Sequence, residues 1–110
     1  MTRKTVVWLG DSLAAVRGFA PEARRRAGQE LGLVQAGEAP ADWKAMASIG
    51  LGVNEIRVRA GGAYRLIYVA KFAEAVYVLH AFQKKSRRTG RLDVELARQR
   101  YRILIRDRKQ

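Results

Sequence analysis

Three strand-like segments stand almost back to back in the middle of this chain, and that spacing leaves few folds open. Asn54 to Ala60 alternates, with Ile56 and Val58 on one side and Glu55, Arg57 and Arg59 on the other. Gly61-Gly62 supplies a hairpin turn. Ala63 to Phe72 reads as a second strand, and Ala75 to Gln83, after a short connection near Ala73-Glu74, as a third. Connections this short join antiparallel neighbours, because a parallel crossover needs about a dozen residues or more. The segment therefore reads as an antiparallel meander.

The flanks supply the layers that cover it. Thr5 to Leu9 reads as a short strand, rich in β-branched and aromatic residues. Asp11-Ser12 is placed to cap a short helix ending near Gly18, and Pro21-Glu22 opens a second helix. Ala23, Ala27, Leu31 and Val34 make one apolar stripe on it, with Arg24, Arg25 and Arg26 mostly off the stripe. The two helices are expected to form a hairpin packed on the sheet. Gln35 to Val53 contains Gly37, Pro40, Gly50 and Gly52. It reads as irregular, with at most a turn of helix near Trp43 to Ala47, and with Trp43 and Met46 anchoring it to the core. Leu92, Leu96, Ala97, Tyr101 and Leu104 form the stripe of a final helix. The order β-α-α-β-β-β-α predicts a small α+β fold, expected as a single domain over residues 1–110.

Charge narrows the partners. Lys and Arg number 22 against 10 acids, a formal +12 at pH 7. The excess is uneven: from Lys84 onward eleven Lys and Arg face three acids, giving +8, and the first 83 residues carry the remaining +4. Such a body attracts polyanions, nucleic acid first, because bound phosphates release condensed counterions. A solvated surface is the plainer reading of the same basic tail.

Several classes of chemistry fall away. There is no cysteine and a single histidine, which removes disulfides, a thiol nucleophile and the usual zinc sites. Gly50-Leu51-Gly52 lacks the Lys-Ser/Thr of a phosphate loop. No cofactor or metal is expected. No apolar run approaches the roughly 20 residues of a membrane span. The apolar stretch after Met1-Thr2-Arg3-Lys4 stops at Gly10-Asp11, too short for a signal-peptide core. A cytoplasmic location without membrane attachment is the expectation.

What remains is a set of cations on the strands: Arg57, Arg59, Arg65, His80, Lys84 and Lys85. Arg57 and Arg59 share a face. In a meander, Arg65 and the end of the third strand lie nearby. Such a cluster suits a phosphodiester, since Arg grips phosphate oxygens and stabilises negative charge that grows in a transition state. Arg stays protonated, so a proton acceptor would be Lys84, Lys85 or His80. Cleavage would then use the RNA 2′-hydroxyl as nucleophile, without a metal. Each residue also has a structural reading. Arg57 and Arg59 would pair with Glu55 or Glu74 at the surface. His80, beside Val76, Val78 and Phe82 by alternation, would be a packed, hydrogen-bonded histidine. Lys84 to Arg88 would be a solvated loop, and Tyr64, Tyr68 and Tyr77 sheet packing.

The run Val76-Tyr77-Val78-Leu79-His80-Ala81-Phe82-Gln83-Lys84-Lys85-Ser86 resembles the phage-derived Gp49-like group of HigB toxins, within the RelE/ParE superfamily. Val6 to Ser12, Gly52 to Val58, Ala63 to Phe72 and Glu95 to Tyr101 are similar as well, so the resemblance covers nearly the whole chain. It implies a small twisted antiparallel sheet with two N-terminal helices and a C-terminal helix. It implies a type II toxin neutralised by a cognate helix-turn-helix antitoxin. It also implies a ribosome-dependent mRNA endoribonuclease leaving 2′,3′-cyclic phosphate, with ribosome and mRNA as partners. ParE-like members of the same fold instead inhibit DNA gyrase without chemistry, and a prophage remnant would keep the fold without toxicity. By position, Arg57 and Arg59 match the basic pair of the second strand, Arg65 the arginine after the hairpin tyrosine, and Lys84 the cation after the last strand. Arg87, Arg88 and Arg91 are the expected RNA-binding residues. RelE-type enzymes place a tyrosine shortly after that last cation. Here the stretch is Arg87-Arg88-Thr89-Gly90-Arg91, and Tyr101 lies further on, so proton transfer would fall to Lys85, His80 or the ribosome.

Overall fold

The computed structural model describes residues 3–85 and 90–109. The elements run β1 (Thr5–Trp8), α1 (Ser12–Arg17), α2 (Pro21–Gln35), β2 (Trp43–Ala45), β3 (Val53–Arg59), β4 (Ala63–Val69), β5 (Ala75–Lys84) and α3 (Arg91–Arg108). They build an α+β fold around one five-stranded sheet in the order β1-β5-β4-β3-β2.

The meander forms as its spacing demands. β3 and β4 pair antiparallel around Gly61, whose φ of 72° is the left-handed conformation that a tight hairpin turn needs. β4 then pairs antiparallel with β5. Two features depart from the sequence reading. β1 lies parallel to β5, from Thr5 beside Ala75 to Trp8 beside Val78, so the sheet is mixed rather than antiparallel throughout. The segment expected to hold a helical turn at 43–47 is instead the strand β2, with Trp43 opposite Ile56 and Ala45 opposite Asn54. The outer edge of β3 presents unpaired backbone donors and acceptors, and an extended Trp43–Ala45 satisfies them where a helical turn does not.

Each face of the sheet carries a core. α1 and α2 cover one face: Val16, Ala23, Ala27, Leu31 and Val34 pack on Ile56, Val58, Leu66, Val76 and Val78. The stripe read on α2 is buried as expected. α3 covers part of the other face, where Ala97 and Leu104 meet Ile49, Val53, Ile67, Val69 and Leu79. Leu92 was expected in this stripe but is 84% exposed. The helix docks through Val94, Ala97, Tyr101 and Leu104. Leu92 belongs to the neighbouring stripe, with Leu96 and Ile103, which helical periodicity turns away from the sheet.

A register shift in β5 decides which face His80 takes. Ile67 pairs with His80 and Tyr68 with Val78, so Leu79 is an extra residue in β5. A bulge of this kind turns two successive side chains to one side. Leu79 joins the core under α3, and His80 contacts α3 as well. Val76 and Val78 face α1 and α2. His80 therefore shares its face with Phe82 but not with Val76 and Val78, contrary to simple alternation.

Candidate phosphate-binding face

The α3 side of the sheet ends in a basic patch. Pairing sets three successive rows across β3, β4 and β5: Glu55–Ile67–His80, Arg57–Arg65–Phe82 and Arg59–Ala63–Lys84. Period-two alternation puts these rows on one face. Arg57 thus stands directly opposite Arg65, and Lys84 lies one row on. The meander spacing predicted this assembly, and the structure brings Arg57, Arg59, Arg65 and Lys84 together.

Glu55 binds the arginine pair from below. Its Oε1 lies 3.6 Å from Arg57 Nε and 3.5 Å from Arg65 Nε. Glu55 is 2% exposed and Arg65 4%, so this is not the surface pair that sequence alone suggested. Arg65 Nη1 donates to the Tyr64 carbonyl at 3.2 Å. Burial pushes the Arg65 pKa down, as do the charges of Arg57 and Arg59, while Glu55 opposes the shift. The Lys84 pKa is also lowered, first by desolvation and then by Arg65. A cleft lined by Arg26, Glu30, Asp42, Arg57 and Arg59 flanks the patch.

His80 is held from both ring nitrogens. Arg100 Nη1 lies 3.3 Å from Nδ1 and donates to the Leu79 carbonyl at 2.9 Å. Arginine only donates, so Nδ1 accepts, and the neutral ring carries its proton on Nε2. That Nε2–H donates to Asp93 Oδ1 at 2.7 Å. The ring also stacks on Phe82, with centroids 5.2 Å apart. Asp11 accepts from Arg100 Nη2 at 2.8 Å instead of capping α1 with its side chain. This arrangement matches the packed, hydrogen-bonded histidine of the structural reading.

The remaining candidates fall in several places. Lys85 follows β5 and is exposed, and Arg91 opens α3 and is exposed. Arg87 and Arg88 lie outside the described residues. Much of the basic tail is occupied in docking α3. Arg98 donates to the Ser48 carbonyl, Arg100 reaches Asp11, and Arg108 bonds Glu74 while stacking 3.6 Å over Phe72. Tyr101 belongs to the far end of β3: its hydroxyl donates to the Leu51 carbonyl at 3.1 Å, and its ring lies against Gly50. Tyr64 packs on Phe19 and Tyr68 is buried on the α2 face, as expected of sheet packing.

Sequence reasoning placed Glu55 with Arg57 and Arg59 only at the surface, and passed over Asp93, Arg100 and Asp11 as partners in this region. Glu55 carried a signal, since it is the lone acid in phase with Arg57 and Arg59. Asp93, Arg100 and Asp11 carried none, because their meeting depends on how α3 crosses the sheet.

An α+β sheet with this basic face fits the RelE/ParE-like toxins of toxin–antitoxin systems, whose members are neutralised by an antitoxin partner. The family described as phage derived protein Gp49-like (DUF891) matches residues 14–102, and the chain belongs to it. No curated protein matches the chain. Among the described residues, no helix is long and apolar enough to cross a membrane.

Proposed function

We propose that this chain is a HigB-like, ribosome-dependent mRNA endoribonuclease. The observation that carries the reading is the facing pair Arg57 and Arg65, partly desolvated and flanked by Arg59 and Lys84. The pair shares the single carboxylate of Glu55, so one arginine charge of the two is left for a phosphodiester, itself −1, to offset.

In this mechanism the RNA 2′-hydroxyl attacks the adjacent phosphorus. The P–O5′ bond breaks with its electron pair on the 5′-oxygen, which takes up a proton, and a 2′,3′-cyclic phosphate remains. Arg57, Arg59 and Arg65 bear the negative charge that grows on the phosphoryl oxygens, where preorganised cations act most strongly. Lys84, its pKa lowered by burial and by Arg65, accepts the 2′-hydroxyl proton in its neutral form. His80 is the weaker candidate, because Asp93 and Arg100 engage both of its nitrogens. Lys85 and Arg91 extend the basic surface toward ribosomal RNA. The neutralising partner is proposed to be a helix-turn-helix antitoxin.

Mapping of transcript ends after induction tests the reading. Cuts within translated messages, absent when Lys84 is replaced by alanine, are the expected result. Growth arrest with altered supercoiling and intact messages would instead identify a gyrase inhibitor, and unimpaired growth a toxin that has lost activity.

A further inference from the structure

We propose that Glu55 is a positioning residue for the arginine pair: its carboxylate holds Arg57 and Arg65 side by side and leaves their charge to be completed by a phosphate group. The proposal rests on reading this face as a phosphate site.

Register alone puts Arg57 and Arg65 opposite each other on adjacent strands. Like charges in directly opposed positions repel. Glu55 precedes Arg57 by two residues on the same face, so its carboxylate emerges beside the pair. One oxygen, Oε1, serves both guanidinium groups. A carboxylate that is 2% exposed is retained only when it is paired, and Arg57 and Arg65 pair with it here.

The contact is ionic rather than hydrogen-bonded. Both separations exceed the usual 2.7–3.2 Å of an N–H···O bond, and neither buried Nε–H makes a hydrogen bond among the described residues. Glu55 therefore sets the direction of two guanidinium planes without using up their donors. Glu55 supplies one negative charge against the two of the facing pair. A tetrahedral oxyanion supplies both the charge and the acceptors. Glu55 itself does not touch that anion; it acts through the arginines.

The test uses the full chain, labelled with ¹⁵N, and inorganic phosphate at constant ionic strength. The Arg57 and Arg65 Nε–Hε signals are assigned with R57K and R65K. In the wild type the two signals are expected to move together as phosphate is added. In Glu55→Gln they are expected to lose this common response. Phosphate is expected to raise the melting temperature of that variant at least twice as much as it raises the wild type's, because the anion replaces the missing charge. A carboxylate with only a structural role would lower the melting temperature equally at every phosphate concentration and leave the signals' response unchanged, which overturns the proposal. Should Glu55→Gln not fold, the wild-type titration decides: signals unmoved by phosphate overturn it. Glu55→Asp, which keeps the charge, is expected to retain the common movement. None of these readouts involves RNA cleavage. Coupled signals without cleavage would refute the endoribonuclease reading alone, and cleavage with unmoved signals would refute the role of Glu55 alone.

Discussion

Asp93 accepts a hydrogen bond from His80 Nε2 at 2.7 Å and so joins the first turn of α3 to the strand that carries Lys84. The aspartate is the partner of a side chain that is only 8% exposed. Replacing Asp93 with alanine leaves a buried ring N–H unsatisfied, at a cost of about 1–3 kcal/mol. Urea denaturation of Asp93→Ala against wild type measures it, and an unchanged midpoint would show that water serves His80 equally well.

Arg65 and Lys84 are expected to separate stability from activity. Arg65→Ala removes one of the arginines paired with the buried carboxylate of Glu55. Breaking a buried pair from one side costs about 3–5 kcal/mol, and Arg57, which remains beside Glu55, should hold the loss to the lower end. Lys84→Ala should melt within about 0.5 kcal/mol of wild type while losing growth arrest. Melting curves beside growth curves read both. A Lys84→Ala protein that is stable and fully toxic would remove Lys84 from the chemistry.

Gly50 has a steric role that the loop sequence conceals. A Cβ there would come within 2.3 Å of the Tyr101 ring. Gly50→Ala is therefore expected to displace Tyr101 and cost about 1–3 kcal/mol by overpacking. Tyr101→Phe keeps the ring and loses only the exposed hydroxyl bonds, one donated to the Leu51 carbonyl and one accepted from Lys71 Nζ, so it should be the milder change. Denaturation of the two variants side by side tests that order.

Glu74 provides a pH signature. Arg108 first, and then the Tyr77 hydroxyl, hold its pKa at about 2 against an ordinary 4.5. A depressed carboxylate pKa adds stability above the unfolded value and loses it as pH falls through the folded one. The stability difference between wild type and Glu74→Gln should therefore be complete above about pH 4.5 and vanish toward about pH 2. Chemical denaturation across that range checks it, and a constant difference would mean that the charge is not what Glu74 contributes.

The legible parts of this molecule are those governed by short-range rules. Alternation around Gly61-Gly62 specified β3 and β4, and the short connection at Ala73-Glu74 specified β5. From these the meeting of Arg57, Arg59, Arg65 and Lys84 follows directly. What stayed hidden depends on long-range partners. Trp43–Ala45 becomes a strand only because β3 offers an edge. The extra residue Leu79 breaks an alternation that looks unbroken in sequence, and it turns His80 to α3. Glu55 read as a surface acid because its pattern is that of a half-exposed strand. Only β4, bringing Arg65 alongside, makes its position an interior one.

The parallel pairing of β1 with β5 sets a timetable. Thr5 is made before β5, yet it has no neighbour in the sheet until Ala75 has followed it. The centre of the sheet is likewise completed by β5, the last strand to be synthesised. Distant pairings of this kind delay folding. The Arg57–Arg65 pair can thus form within its own hairpin, whereas Lys84 joins it, and β1 finds its place, only once β5 has docked.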